Sequence, residues 1–202
     1  MSDQQFDLRI EISDKKPTGR VCGSCTLCCK LLGVEAVNKK AGERCRYQRT
    51  GKGCTAYHRL NEVAPECKLW SCRWLVDSSA AGLPRPDRCH YVIDLMPDFI
   101  TQEHPDGTKV RYQVIQVWID PAFPDAHHDP HLRAFILAEN KMALIRSNAT
   151  DAFVLVPPTL NETGEWFEHR SSTAVPEYAT WPDEWREGLK RTHAAIRDER
   201  TR

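Results

Sequence analysis

Eight of the nine cysteines in this 202-residue chain fall between positions 22 and 72. They are Cys22, Cys25, Cys28, Cys29, Cys45, Cys54, Cys67 and Cys72. A two-residue gap lets two sulfurs reach one ion, while the intervening backbone turns tightly and offers its N–H groups to them. Cys28 and Cys29 are adjacent, so their side chains leave the backbone in different directions. Two neighbouring thiolates of this kind suit two ions, or two edges of one polynuclear cluster. Eight cysteines are also the arithmetic of two Cys₄ sites. Burial as small hydrophobes, a common fate of free cysteine, does not explain the clustering. A closed disulfide framework would leave one of the nine thiols over.

Soft thiolates select zinc, iron–sulfur clusters or Cu(I). An all-cysteine set fits structural zinc in a closed site, which is the favoured expectation. Iron or an iron–sulfur cluster is the runner-up. Cys22, Cys25 and Cys28 have the spacing of the first three ligands of a bacterial ferredoxin cluster, but the nearby Cys-Pro that completes that motif is missing.

Other residue types carry weaker signals. His58, inside the same segment, reads as exposed or as a neighbour of the ligands rather than one of them. Cys89 reads as a half-buried cysteine at the start of a strand rather than a ninth ligand. His127, His128, Asp129 and His131, with Asp125 nearby, are ligand-like types. Asp129 precedes Pro130 and is biased away from helix, so this stretch reads as a polar loop capping a helix. Trp70 and Trp74 flank Cys72 and are expected to screen a metal site from water. There is no Gly-rich phosphate loop, HExxH helix or GxSxG elbow. With no nucleophile–base pair in view, no catalytic role is assigned and enzymatic activity stays open.

The formal net charge is zero, but it is unevenly spread. Residues 20–74 hold 11 Lys/Arg against 4 Asp/Glu, and residues 75–202 hold 14 against 20. A basic segment can mark a nucleic-acid partner. The favoured reading is that it accompanies a thiolate cluster, which is itself anionic and whose pKa values nearby cations lower. The first 20 residues have no apolar h-region, and no apolar run approaches the roughly 20 residues that span a bilayer. These features point to the cytoplasm, where thiols stay reduced, with metal ions as partners and no membrane.

Positioning these residues falls to few regular elements. Residues 5–13 alternate as a short strand, so 1–21 reads as an N-terminal strand and linker. Residues 22–88 form the cysteine region, with no sustained period and few aliphatic residues. Apolar burial cannot offset the conformational entropy of such a segment, and metal coordination is the available compensation. From 89 to 202 the pattern is α+β and forms one unit with the cluster. Strands are predicted at 90–95, 98–104, 109–120, 143–146 and 152–156, with a hairpin turn at Pro105-Asp106-Gly107-Thr108. Helices are predicted at 130–141, capped by Asp129, and at 182–198. The expected fold is an irregular, metal-organised half packed on a small antiparallel sheet with two helices.

The order CxxCxxCC, then Leu31-Leu32-Gly33, Lys40, Gly42, Cys45, Gly53-Cys54, Tyr57, Arg59, Cys67, Cys72, Trp74 and Leu75 resembles the bacterial YkgJ-like cysteine-cluster proteins, described as zinc- or iron-chelating domains. The stretch Leu83-Pro84-Arg85-Pro86-Asp87-Arg88 is similar to one that follows the cluster in relatives. The resemblance covers residues 22–95. It implies metal binding by the eight cysteines but no established reaction, although some distant relatives that share the cluster are protein lysine methylases. Relatives carry an Arg-Pro pair before the seventh cysteine. Here Leu60 follows Arg59 and Pro65 lies close to Cys67, as a small insertion would produce.

Overall fold

The computed structural model describes residues 18–96, 98–103 and 106–170. The strand expected at 5–13 and the helix expected at 182–198 lie outside the described residues. The α+β class holds: short helices gather in the first half, and a six-stranded sheet with one longer helix makes up the second.

The sheet strands are β3 (Tyr91–Ile93), β4 (Asp98–Glu103), β5 (Lys109–Ile119), β6 (Ala143–Arg146), β7 (Ala152–Val156) and β8 (Phe167–His169). Alternation on β5 sends Ile115, Val117 and Ile119 to one face, where they join Tyr91, Ile93, Ile145 and Phe153 in the main core. The helix Pro130–Glu139 covers that face with Leu132, Phe135 and Ile136. Proline opens it, and Asp129 Oδ1 accepts from the N–H groups of His131 at 2.8 Å and Leu132 at 3.1 Å. Asn140, in the left-handed region, ends it.

The sheet departs from the antiparallel expectation at one pairing. β5 and β6 run parallel, with Ile115 opposite Ala143 and Trp118 opposite Arg146. The physical reason is the helix between them, which returns the chain to the end of the sheet where β5 began. β6 is buried along its whole length, as suits a strand flanked on both sides. β8 carries no apolar alternation in Phe167-Glu168-His169, and its sequence gives no sign of a strand; its pairing with β7 makes it one. Between β3 and β4, Ile93 pairs with Val117 and Asp98 with Val114. Asp94 and Met96 sit in the resulting bulge, and the Asp94 N–H still donates to Gln116 O at 2.9 Å.

The cysteine region is less irregular than its sequence suggests. It contains α1 (Leu27–Leu31), α2 (Leu60–Val63), α3 (Pro65–Leu69), α4 (Arg73–Val76), α5 (Pro86–Cys89) and a two-residue ladder of β1 (Gln48–Arg49) with β2 (Gly53–Cys54). The predicted lack of period holds because none of these pieces exceeds about one turn or two rungs. Numbering continues with α6 for Pro130–Glu139. The lobe meets the sheet on the face opposite α6: Val92 and Trp118 pack with Leu27, Leu31, Cys72, Trp70 and Trp74. A second apolar cluster of Val34, Val37, Leu60 and Ala64 lies within the lobe.

Candidate metal centres

Two anchors orient the lobe on the sheet. Lys30 of α1, next to Cys29, pairs with the buried Asp120 at the end of β5 at 2.5 Å. On the other side the bulge residue Asp94 accepts from Trp70 Nε1 at 2.9 Å and from the Met96 N–H at 3.0 Å. Its backbone carbonyl accepts from Arg73 Nε at 3.3 Å, and Arg73 also pairs with Asp77 and with Glu139 of α6. Burial pushes the Asp94 carboxyl up to about 6 despite these donors. Cys72 lies between Trp70 and Arg73 and bridges to Asp94 across the lobe–sheet boundary.

The charges of the sulfurs on one another sort them loosely into an inner and an outer group that meet at Cys28 and Cys29. In the inner group, burial and then Cys25 and Cys29 raise the Cys22 thiol. Burial, with Cys22 and Cys25 as neighbours, pushes Cys72 up to about 12. Cys28 is pushed well above its ordinary range by its hydrogen bond to Cys29, by burial and by the charges of Cys29, Cys72 and Cys22. In the outer group, burial and then Cys29, Cys45, Glu66 and Cys54 push Cys67 up to about 12. Cys54 is raised by burial and, next among the charges, by Cys29 and Cys45. Cys22, Cys25 and Cys72 thus influence one another on one side and Cys45, Cys54 and Cys67 on the other, with Cys29 acting on members of both. Adjacent Cys28 and Cys29 are the seam between them.

Local backbone explains the grouping. Cys25 N–H donates to Cys22 O at 2.9 Å, closing the CxxC turn, and Cys45 N–H donates to Cys29 O at 3.0 Å, fixing the long loop onto α1. Backbone N–H groups face several sulfurs: Leu27 and Asp87 on Cys25, Ala56 on Cys54, Leu75 on Cys72. Gly53 is where the loops of the two groups touch. Its φ is +91°, and a Cβ there would lie 2.7 Å from the Gly23 carbonyl oxygen. Only glycine permits that approach.

Cations attend each group. Buried Lys39 faces Cys45, Cys29, Cys67 and Cys28. Its ammonium donates to the carbonyls of Leu32, Lys40 (3.3 Å) and Lys30 (3.4 Å). Cys29 is lowered to about 7 by its hydrogen bond with Cys28 and by Lys39, against the opposing effect of burial. Arg85 holds Asp87 bidentately at 2.6 and 2.7 Å, reaches Ser24 Oγ at 3.2 Å, and lies close enough to Cys25 to lower it. The Leu83–Arg88 stretch thus lies against the CxxC turn.

The donor set is chemically that of thiolate-bound metal. Among the described residues no three of the sulfurs lie within 4.8 Å of one another. A closed zinc tetrahedron would have S···S of about 3.8 Å. Cys72 is buried and the other seven are half-buried, so both groups have a solvent-facing side.

His58 is exposed, as expected. Cys89 is buried with Sγ near the carbonyls of Arg85 (3.5 Å), Pro84, Pro86 and Tyr91, inside the sheet core and apart from the eight. It ends α5 rather than starting a strand, because Pro86 opens a helical turn there. Trp70 and Trp74 pack beside Cys25 and Cys72. Lys39 and Asp94 were not singled out by their sequence; an aspartate in a Val-Ile-Asp-Leu run was the available sign for Asp94, and Lys39, beside Lys40, carried none. No protein-family model, curated protein or solved structure matches the chain.

Proposed function

We propose that this protein binds two metal ions through two four-cysteine sets, an inner one of Cys22, Cys25, Cys28 and Cys72 and an outer one of Cys29, Cys45, Cys54 and Cys67, with zinc favoured. The observation that supports the reading is the electrostatic influence of the eight cysteines on one another, which links them through the neighbours Cys28 and Cys29. Thiols that raise one another's pKa while buried ionise together only if a cation neutralises them. Backbone donors, Lys39 and Arg85 supply the remaining compensation for sulfur charge. Zinc supplies a closed-shell cation with no geometric preference of its own and no redox chemistry, and its role at such sites is structural. This reading agrees with the resemblance to the chelating cysteine-cluster proteins. It also fits a lobe whose helices are one turn long and whose own core is small.

One observation favours iron–sulfur chemistry at the inner set. Cys22, Cys25 and Cys28 have ferredoxin-like spacing, and Cys72 provides the remote fourth thiol. Metal analysis and a visible spectrum of protein purified without oxygen decide between the two. Two equivalents of zinc in a colourless protein are expected. Iron with inorganic sulfide and visible charge-transfer absorption would assign the inner set to a cluster. Less than one equivalent of any metal would overturn both.

A further inference from the structure

The 3₁₀ turn Pro124–His128 places two histidines against β8, far along the chain from the cysteines. His127 is 4 % exposed. Its Nδ1 lies 2.9 Å from Pro124 O, and its Nε2 lies 2.8 Å from Glu168 Oε1. A carbonyl oxygen only accepts, so Nδ1 carries the hydrogen. The Nε2 lone pair of the neutral ring then faces a carboxylate oxygen, a contact that needs either a second ring proton or a shared cation. The neighbouring His128 turns its own Nε2 to the same Glu168 oxygen at 3.5 Å, and the two rings lie 4.0 Å apart at 50°. Two ring nitrogens and one carboxylate oxygen therefore point at one place, all within 4.8 Å of one another.

We propose that His127, His128 and Glu168 form a third metal site, for a first-row divalent cation of borderline softness such as Zn²⁺ or Fe²⁺. Ligand bonds of about 2.1 Å give donor–donor edges of about 3.0 Å in an octahedral site and about 3.4 Å in a tetrahedral one. The observed 2.8 and 3.5 Å lie close to these edges. The Nδ1–H bond to a backbone carbonyl is the outer contact that fixes the tautomer and ring of a metal-bound histidine. Phe153 meets the His127 ring edge-on at 5.1 Å and limits its rotation. With three protein ligands and His128 half in solvent, at 50 % side-chain exposure, coordination positions remain for water or a small anionic ligand. Arg170 shares Glu168 through Oε2 at 3.3 Å and leaves Oε1 to the histidines. The site joins the turn after β5 to the edge strand β8, and nitrogen–oxygen ligation sets it apart from the thiolate centres.

Cobalt(II) distinguishes the two kinds of site, because thiolate-bound cobalt has intense near-ultraviolet charge-transfer bands and nitrogen–oxygen-bound cobalt has only weak visible bands. The full chain, stripped of metal, is titrated with Co²⁺ and followed by spectrum and equilibrium dialysis, the thiolate bands reporting when the cysteines are filled. One added equivalent with weak visible bands and no further thiolate charge transfer is expected. Binding should weaken at least ~10-fold in His128→Ala and in Glu168→Gln. Both side chains are solvent-accessible, and far-ultraviolet circular dichroism checks that the variants fold. No added equivalent, or equal binding in the two folded variants and the parent, would mean that His127 and Glu168 form only an imidazolium–carboxylate pair and would overturn the proposal. Because the readout is nitrogen–oxygen cobalt, it remains decisive even if the cysteines bind no metal.

Discussion

The two proposed cysteine sets share one residue type but are held by different structures. The inner set rests on the sheet. Cys72 is buried, bridges to Asp94, and shares an apolar cluster with Val92 and Trp118. The outer set rests on loops and one-turn helices, with Val34, Val37, Leu60 and Ala64 as its apolar support. The inner set borrows rigidity from a β-sheet that exists without it, whereas the outer set must largely create its own surroundings. The general lesson is that identical ligands need not give identical sites: the packing around a loop determines how much of its ordering cost the ion must offset.

Removing one ligand from each set gives the largest contrast. Cys67→Ser should lower zinc from two equivalents to one and expose the amides of residues 34–67 to hydrogen exchange, with β5–β7 still protected. Cys72→Ser should also lose one equivalent but carry the damage into the sheet, with a fall in thermal midpoint at least twice as large. A structural zinc site contributes on the order of 10 kcal/mol, so either loss is large against ordinary domain stability. Equal exchange patterns in the two variants would abolish the distinction between the sets.

Gly53→Ala tests the seam. Positive φ and the 2.7 Å approach to Gly23 O predict a cost of roughly 1–3 kcal/mol, measured by denaturant unfolding of the zinc form. Weakened zinc affinity at both sets is expected, since the two loops move together. An effect confined to one set would show that the seam couples nothing.

The smallest effect is in proton release. Metal binding requires thiolates, so affinity at both sets rises with pH. Burial and neighbouring charge hold the inner thiols above their ordinary range, whereas Cys29 of the outer set is lowered to about 7 by its hydrogen bond with Cys28 and by Lys39. Zinc should therefore release fewer protons at Cys29 than at an inner thiol near neutral pH. Calorimetry in buffers of different ionisation enthalpy, on the Cys67→Ser and Cys72→Ser forms, measures it. Lys39→Met should shrink the gap by raising Cys29.

Much of the sheet was legible because its strands carry their own pattern. Ala143–Arg146 and Ala152–Val156 match their predicted limits, and β5 ends one residue short of its prediction. Asp129 announced the start of α6, since a proline follows it and its side chain has two N–H groups to cap. β8 was not legible, because Phe167-Glu168-His169 is a strand only through the β7 edge that it completes. The helices of the cysteine lobe escaped notice for a related reason: one turn is too short to show a 3.6-residue period.

By itself the sequence determined which atoms were available. It supplied eight sulfurs, their CxxC turns and an adjacent pair that cannot serve one ion as neatly as two. It also determined the elements whose periodicity is local. Only the tertiary structure decided which cysteine segments are neighbours. Cys72 joins Cys22, Cys25 and Cys28 because Asp94 and Trp118 hold its segment to the sheet, while Cys45, Cys54 and Cys67 gather around Cys29 and Lys39. Likewise, His127 and His128 were visible as a pair, but Glu168 reached them only when β8 closed the sheet edge. Spacing along a chain constrains what near neighbours can do, whereas contacts between distant segments depend on packing that no short motif contains.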